Sequence, residues 1–144
     1  MKRFPVVTLI LSLATVLCAQ GDVPAHHKTA PKKTEKLAPI LAKEQLLGPN
    51  FRHPTQKRAY ELAAQVYELI YQQPCYCRCD RSVGHTSLRT CFETDHAAHC
   101  AACMQEGFYT YLEAKKGKTA VQIREGILKG EWEKINLDTA YTIQ

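Results

Sequence analysis

The sequence predicts a mainly α-helical fold: a small domain of about three helices around a cysteine- and histidine-rich loop, with a disordered N-terminal arm. Three observations carry this. Apolar residues recur at three- and four-residue spacing on both sides of residues 75–95. Residues 75–95 themselves show neither helical nor strand period, and six of the seven cysteines lie between Cys75 and Cys103. At 144 residues, 45% hydrophobic and 23% charged, the chain accommodates one modest domain with attachments. It is too short for a two-domain enzyme or a doubly wound α/β sheet with a separate substrate domain.

Residues 1–21 have the order of a secretory signal. Lys2 and Arg3 precede an apolar run over residues 6–17, and the small-residue stretch Cys18-Ala19-Gln20-Gly21 follows. The run is too short to span a membrane, so an exported, periplasmic or otherwise extracytoplasmic protein is expected. Cys18 is a candidate lipidation site. Leu17 before it is a poor fit for that processing, so ordinary cleavage near Ala19 or Gly21 is favoured over a lipid anchor.

Residues 22–50 contain Pro24, Pro31, Pro39 and Pro49 together with five lysines, the composition of an extended linker. A short helical patch is expected at residues 40–47. The formal charge of +5 sits mainly in the signal and this linker, because residues 51–133 hold eleven Lys/Arg against ten Asp/Glu. With no basic stripe interleaved with aromatics in the folded part, no nucleic-acid partner is expected. The pair His26-His27, set in a flexible arm, is read as inert.

The domain is expected over residues 51–133, with residues 134–144 as a tail. Ala59, Leu62, Ala63, Val66, Leu69 and Ile70 form one face of a first helix over residues 54–73, opened by Pro54 and ended by Pro74. A second helix is expected over about residues 95–116, capped by Asp95 and stopped at Gly117, with Met104, Phe108, Tyr111 and Leu112 facing the core. Thr119 and Gln122 form a capping-box pair opening a third helix, with Ile123, Ile127 and Leu128 inward and Trp132 near its end. A loop of about twenty residues between the first two helices calls for an internal staple, as does the limited core of so small a domain.

The staple is sought in the string Pro74-Cys75-Tyr76-Cys77-Arg78-Cys79, Gly84-His85, Cys91-Phe92 and His96-x3-Cys100-x2-Cys103. On a helix, His96, His99, Cys100 and Cys103 fall within an arc of roughly 100°, stacking their ligand atoms on one face. Cysteines at every second residue let a curled loop aim several sulfurs at one ion or at two close ions. Thiolate and imidazole suit zinc and copper(I), and the excess of sulfur tilts toward a thiophilic ion. Metal binding is the leading reading, with Cys75, Cys77, Cys79, His85, Cys91, His96, Cys100 and Cys103 as ligands and His99 ranked below them. Structural disulfides are the second reading, since export means an oxidising compartment. Catalytic thiol–disulfide exchange is the third, with Cys77 or Cys79 as the attacking thiolate. It lacks the βαβ setting in which a redox cysteine pair is persuasive. No paired carboxylates, Ser–His–Asp set or phosphate-cradling glycine loop is present, so hydrolase and nucleotide chemistry have no support.

Over about residues 49–132 these motifs, in this order, resemble the exported bacterial PCYCGC-motif proteins, also called the CYCXC family. The resemblance implies an exported, often lipid-anchored protein of no established function, with selenocysteine in the motif of some relatives. It carries over the eight ligand positions but not His99. The chain departs from the pattern at Arg78, which stands where the usual motif has glycine, and at Leu17, which weakens the lipid-anchor expectation. The reading as a whole is a metal-handling protein holding copper or zinc, whether for delivery, buffering or detoxification; the alternatives are an extracytoplasmic thiol–disulfide redox protein or a small helical interaction module that metal or disulfides only staple. Its expected partners are the metal ion itself and a metal transporter, chaperone or redox partner, with membrane contact only through lipidation.

Overall fold

A computed structural model describes residues 22–46, 48, 49 and 51–144, so the predicted signal and Cys18 lie outside the described residues. Among the described residues there are five α-helices and no strand, in agreement with the predicted fold class.

Helix α1 (Pro54–Gln65) starts where proline suits the first turn, and the Gln56 side-chain carbonyl accepts from the His53 N–H at 2.9 Å. Its inner face buries Ala59, Tyr60, Leu62 and Ala63. The single helix expected to residue 73 is in fact broken. Val66 takes φ −123°, ψ 31°, and a short helix α2 (Tyr67–Tyr71) follows on a new heading that buries Ile70 and Tyr71. The β-branched Val66 has little helical preference to resist this bend.

Helix α3 (Cys79–Ser82) is one turn within the cysteine-rich segment. The central element is α4 (Ala101–Lys115), whose buried residues include Cys103, Met104, Glu106, Phe108, Thr110 and Glu113, so it is covered on most sides. Gly117 follows it with φ 80°, the left-handed stop expected there. Helix α5 (Ala120–Leu128) opens on the expected capping box, the Thr119 hydroxyl accepting from the Gln122 N–H at 3.3 Å and the Gln122 side chain from the Thr119 N–H at 2.9 Å. It ends sooner than expected, and Trp132 falls in a separate 3-10 turn, Glu131–Lys134.

Two segments read as attachments are part of the packed structure. The arm is irregular, apart from a 3-10 turn at Lys43–Leu46, but it lies along the domain. Leu46 is buried in the core, the Leu41 N–H donates to the Phe92 carbonyl at 3.1 Å, and the His27 ring stacks on Tyr71 at 3.8 Å. The tail runs back over α1. The Thr55 hydroxyl donates to the Leu137 carbonyl at 2.8 Å, Arg58 Nε donates to the Ile143 carbonyl at 2.7 Å, and Ala140 is buried.

The main core gathers Phe51, Tyr60, Leu62, Ile70, Leu88, Phe92 and Phe108 together with the buried cysteines, while Tyr109, Ile123 and Ile127 form a smaller cluster under α5. Tyr60 sits edge-on between Phe51 (5.3 Å) and Phe92 (5.0 Å), and the buried Phe92 in turn rests against the bare backbone of Gly107. A Cβ at Gly107 would fall 2.8 Å from Phe92 Cζ. Exchanging a mid-helix glycine for alanine ordinarily gains about 1 kcal/mol. Here the sign is expected to reverse, with Gly107→Ala losing about 1–3 kcal/mol in urea unfolding because the Phe92 ring has nowhere to go.

Candidate metal centre

Three separated stretches of chain supply the sulfurs. After Pro74 the chain curls, with the Arg78 N–H donating to the Cys75 carbonyl at 3.3 Å and Arg78 itself in the left-handed region at φ 61°. This curl turns alternate cysteines Cys75, Cys77 and Cys79 toward a common centre. Glu106, wholly buried on α4, holds the curl from below by accepting from the Tyr76 N–H at 2.8 Å. The second stretch is the 3-10 turn Leu88–Phe92, which carries Cys91 and is tied back by the Leu88 N–H to the Gln73 carbonyl at 2.9 Å. The third is the bend that leads into α4.

At that bend the expected geometry needs correcting. His96 lies on a 3-10 turn, Asp95–His99, and Cys100 is extended at φ −127°, ψ 108°; only Cys103 is on α4. Asp95 does not cap the helix. Thr94 caps the 3-10 turn by accepting from the His96 N–H, and the Cys100 sulfur caps α4 by accepting from the Cys103 N–H at 3.4 Å. His96, Cys100 and Cys103 therefore converge through two successive caps, not as a stripe on one helix face. Tyr60 fixes the bend from inside. Its hydroxyl donates to the Thr94 carbonyl at 2.6 Å and accepts from the Ala98 N–H at 3.2 Å, bracketing His96.

The sulfurs are close. Cys75 Sγ lies 3.3 Å from Cys77 Sγ and 3.4 Å from Cys103 Sγ, Cys77 and Cys103 are 3.6 Å apart, and Cys79 and Cys91 are 3.4 Å apart. All six described cysteines are free thiols. Four sulfurs around a tetrahedral ion at 2.3 Å would stand about 3.8 Å from one another, so these separations are nearly those of ligands. Three groups have all their ligand atoms within 4.8 Å: Cys75, Cys77, Cys91 and Cys103; Cys77, Cys79, Cys91 and His96; and Cys77, His96, Cys100 and Cys103. Cys77 belongs to all three. Each is close enough to hold a metal ion.

His85, the remaining expected ligand, falls in none of these groups but has Nδ1 3.2 Å from Cys91 Sγ and its ring 4.8 Å from that of His96. His99 is exposed, with Nε2 3.7 Å from an Asp95 carboxylate oxygen, outside every group. A cleft of about 440 Å³ beside it, lined by His53, Gln56, His99 and Tyr141 among others, contains none of the cysteines.

Electrostatics separate the thiols. Thiols of Cys100, Cys103, Cys75 and Cys91 are directed at Cys77 and hold its own well below the usual thiol range. Cys103 is pushed up by the same network, through Cys100 first, and Cys79 is pushed up by Cys75 and by burial. Of the two cysteines named for redox attack, the partly exposed Cys77 has thiolate character and the buried Cys79 does not. Burial, with His96 nearby, lowers the pKa of His85 and favours the neutral imidazole that binds metals. Burial also pushes Glu106 up to about 8, so at neutral pH this carboxyl is protonated and adds no charge beneath the thiolates.

The arm closes one side. The Asp22 carboxylate pairs with Arg81 and approaches Arg78, Arg78 donates to the Asp22 carbonyl, and the Ala25 N–H donates to Asp80 at 3.1 Å. Buried Pro24 is thereby set against a narrow cleft lined by Cys75, Cys79 and His85. Sequence patterns gave no sign of this strap, nor of Glu106, which falls in the otherwise core-forming run of α4.

A family model described as "Protein of unknown function with PCYCGC motif" matches residues 7–134. No curated protein and no solved structure matches the chain.

Burial orders the reactivity of the thiols. In the reduced, folded protein Cys77 and Cys100 are expected to be alkylated first, and Cys75, Cys79, Cys91 and Cys103 only on unfolding, as read by peptide mass spectrometry. Tyr60→Phe removes both hydrogen bonds that bracket His96. It is expected to cost about 1–3 kcal/mol in urea unfolding, because the Ala98 N–H is left buried without a partner.

Proposed function

We propose, on the premise that this chain belongs to the PCYCGC-motif family, that it is an exported metal-handling protein which holds copper or zinc on its thiolate–imidazole cluster. The observation that carries the reading is the convergence of six unpaired thiols and His96 into three overlapping groups of four. Soft sulfur in excess favours copper(I) or zinc over hard cations. The metal is cargo in this reading, taken up for delivery, buffering or detoxification, and a transporter or metallochaperone would be the exchanging partner. The signal-like residues 1–21 support export, with membrane attachment only if Cys18 is lipidated. No helix among the described residues is long and apolar enough to cross a membrane.

One observation favours a second reading, thiol–disulfide exchange. Cys77 has thiolate character, and Cys75 lies 3.3 Å away to resolve a mixed disulfide by displacing the substrate thiolate, leaving Cys75–Cys77 oxidised and the substrate reduced. A bridge between residues two apart strains the chain, which weighs against it.

Anaerobically purified full-length protein, reconstituted with zinc(II) or copper(I), is expected to bind at least one equivalent by elemental analysis and to release protons as it does so. Its affinity should fall steeply as pH drops, since each coordinated thiol must lose its proton. Metal at about 100 times its dissociation constant should stabilise the fold by about 2.7 kcal/mol. Less than about a tenth of an equivalent, with all six thiols oxidised, would overturn the metal reading. Insulin reduction that depends on Cys77 would favour exchange.

A further inference from the structure

We propose that the cluster is a centre for two metal ions of unequal access. One is a sealed ion at Cys75, Cys79, Cys91 and His85, and the other an exchangeable ion at Cys77, His96, Cys100 and Cys103. The inference rests on the metal-binding reading above and adds to it the number of ions and a division of labour between them.

The donor count comes first. Eight donors surround the centre, and a tetrahedral ion takes four. A single ion would leave four donors without a metal, buried sulfurs among them. The exchangeable set already exists as one of the close groups, its four ligand atoms within 4.8 Å of one another. The other four do not form such a close group, since His85 falls outside all three, but they are linked in pairs. Cys91 Sγ is 3.4 Å from Cys79 Sγ and 3.2 Å from His85 Nδ1, and Cys75 shares a narrow cleft with Cys79 and His85. Cys75 marks the seam, 3.3 Å from Cys77. Each ion thus receives three sulfurs and one imidazole.

The two sets differ in burial. Cys75, Cys79 and Cys91 are 3%, 2% and 0% exposed, and Pro24 of the arm lies over the cleft that Cys75 and Cys79 share with the partly exposed His85. On the other side only Cys103 is buried, and Cys77, His96 and Cys100 are partly exposed, so a chelator or an acceptor protein can reach that ion. The sealed ion would staple the motif curl to the Leu88–Phe92 turn, and the other would be the cargo.

Native mass spectrometry of the full-length protein loaded with zinc(II) should show two ions. Challenge with a soluble chelator should remove them in two phases, one equivalent promptly and the second slowly. His96→Gln and Cys100→Ser should lose the prompt equivalent and keep the slow one, with helicity unchanged by circular dichroism. His85→Gln, a mild change that spares the sulfurs, should speed only the slow phase. One ion in the wild type would overturn this proposal and leave metal binding standing, whereas no ion would overturn both. Two ions lost in one phase, or both lost in Cys100→Ser, would overturn the division into independent sets.

Discussion

Six thiols from three separated stretches of chain must meet at one point without bonding to each other, and the rest of the domain is arranged around that constraint. Bringing them together costs loop-closure entropy and the desolvation of several sulfurs. Apolar packing carries the load. Tyr60, clasped between Phe51 and Phe92, aligns α1, the Leu88–Phe92 turn and the bend before α4, each of which lies next to a cysteine-bearing segment. Glu106 does the same from α4 for the motif curl. A metal ion would then add its binding free energy to a scaffold whose donors are already near position.

Six cysteines and His96 fall in close groups as the spacing suggested, but not by the route helical spacing implied. Helical spacing put His96, Cys100 and Cys103 on one face, and they do converge, but through a 3-10 turn and an extended cap that no 3.6-residue period describes. Val66 was legible as a core residue because it fits the helical pattern. For that reason its departure from helical dihedrals was hidden. The arm misled in another way. Its prolines and lysines have the composition of a tether, yet Leu41, Leu46 and Pro24 pack inward and Asp22 complements Arg78 and Arg81, pairings between residues more than fifty apart. Glu106 was invisible because a carboxylate inside an apolar run reads as a solvated face until a buried N–H is found above it.

Arg78 shows how one substitution in a motif is accommodated. The family name places glycine here, and the backbone gives the reason: φ is 61°, a conformation costing about 1–2 kcal/mol for a residue with a side chain. In return the guanidinium meets the Asp22 carbonyl and helps to hold the arm over the buried sulfurs. A glycine would relax the curl and release that anchor, so the strain and the strap belong to one local solution.

The two apolar clusters divide the domain by what supports each part. Around α5, Ile123 and Ile127 pack on Tyr109, whose hydroxyl donates to Glu131 at 2.6 Å, and no sulfur takes part. Gly126 admits that hydroxyl where a Cβ would lie 1.8 Å from it, so the contact is shaped independently of the cysteine cluster. The segment from Cys75 to Cys103 is held instead by single anchors, Glu106 under the curl, Tyr60 at the bend and Phe92 on α4. Its helical pieces are one or two turns long, too short to persist alone, and its core contribution is mostly Leu88, Phe92 and the cysteines themselves. Loss of a ligand there therefore acts on the loop first, while α4 and α5 keep their packing. This is the gradient of local stability that would suit the proposed exchange of an ion at the cluster.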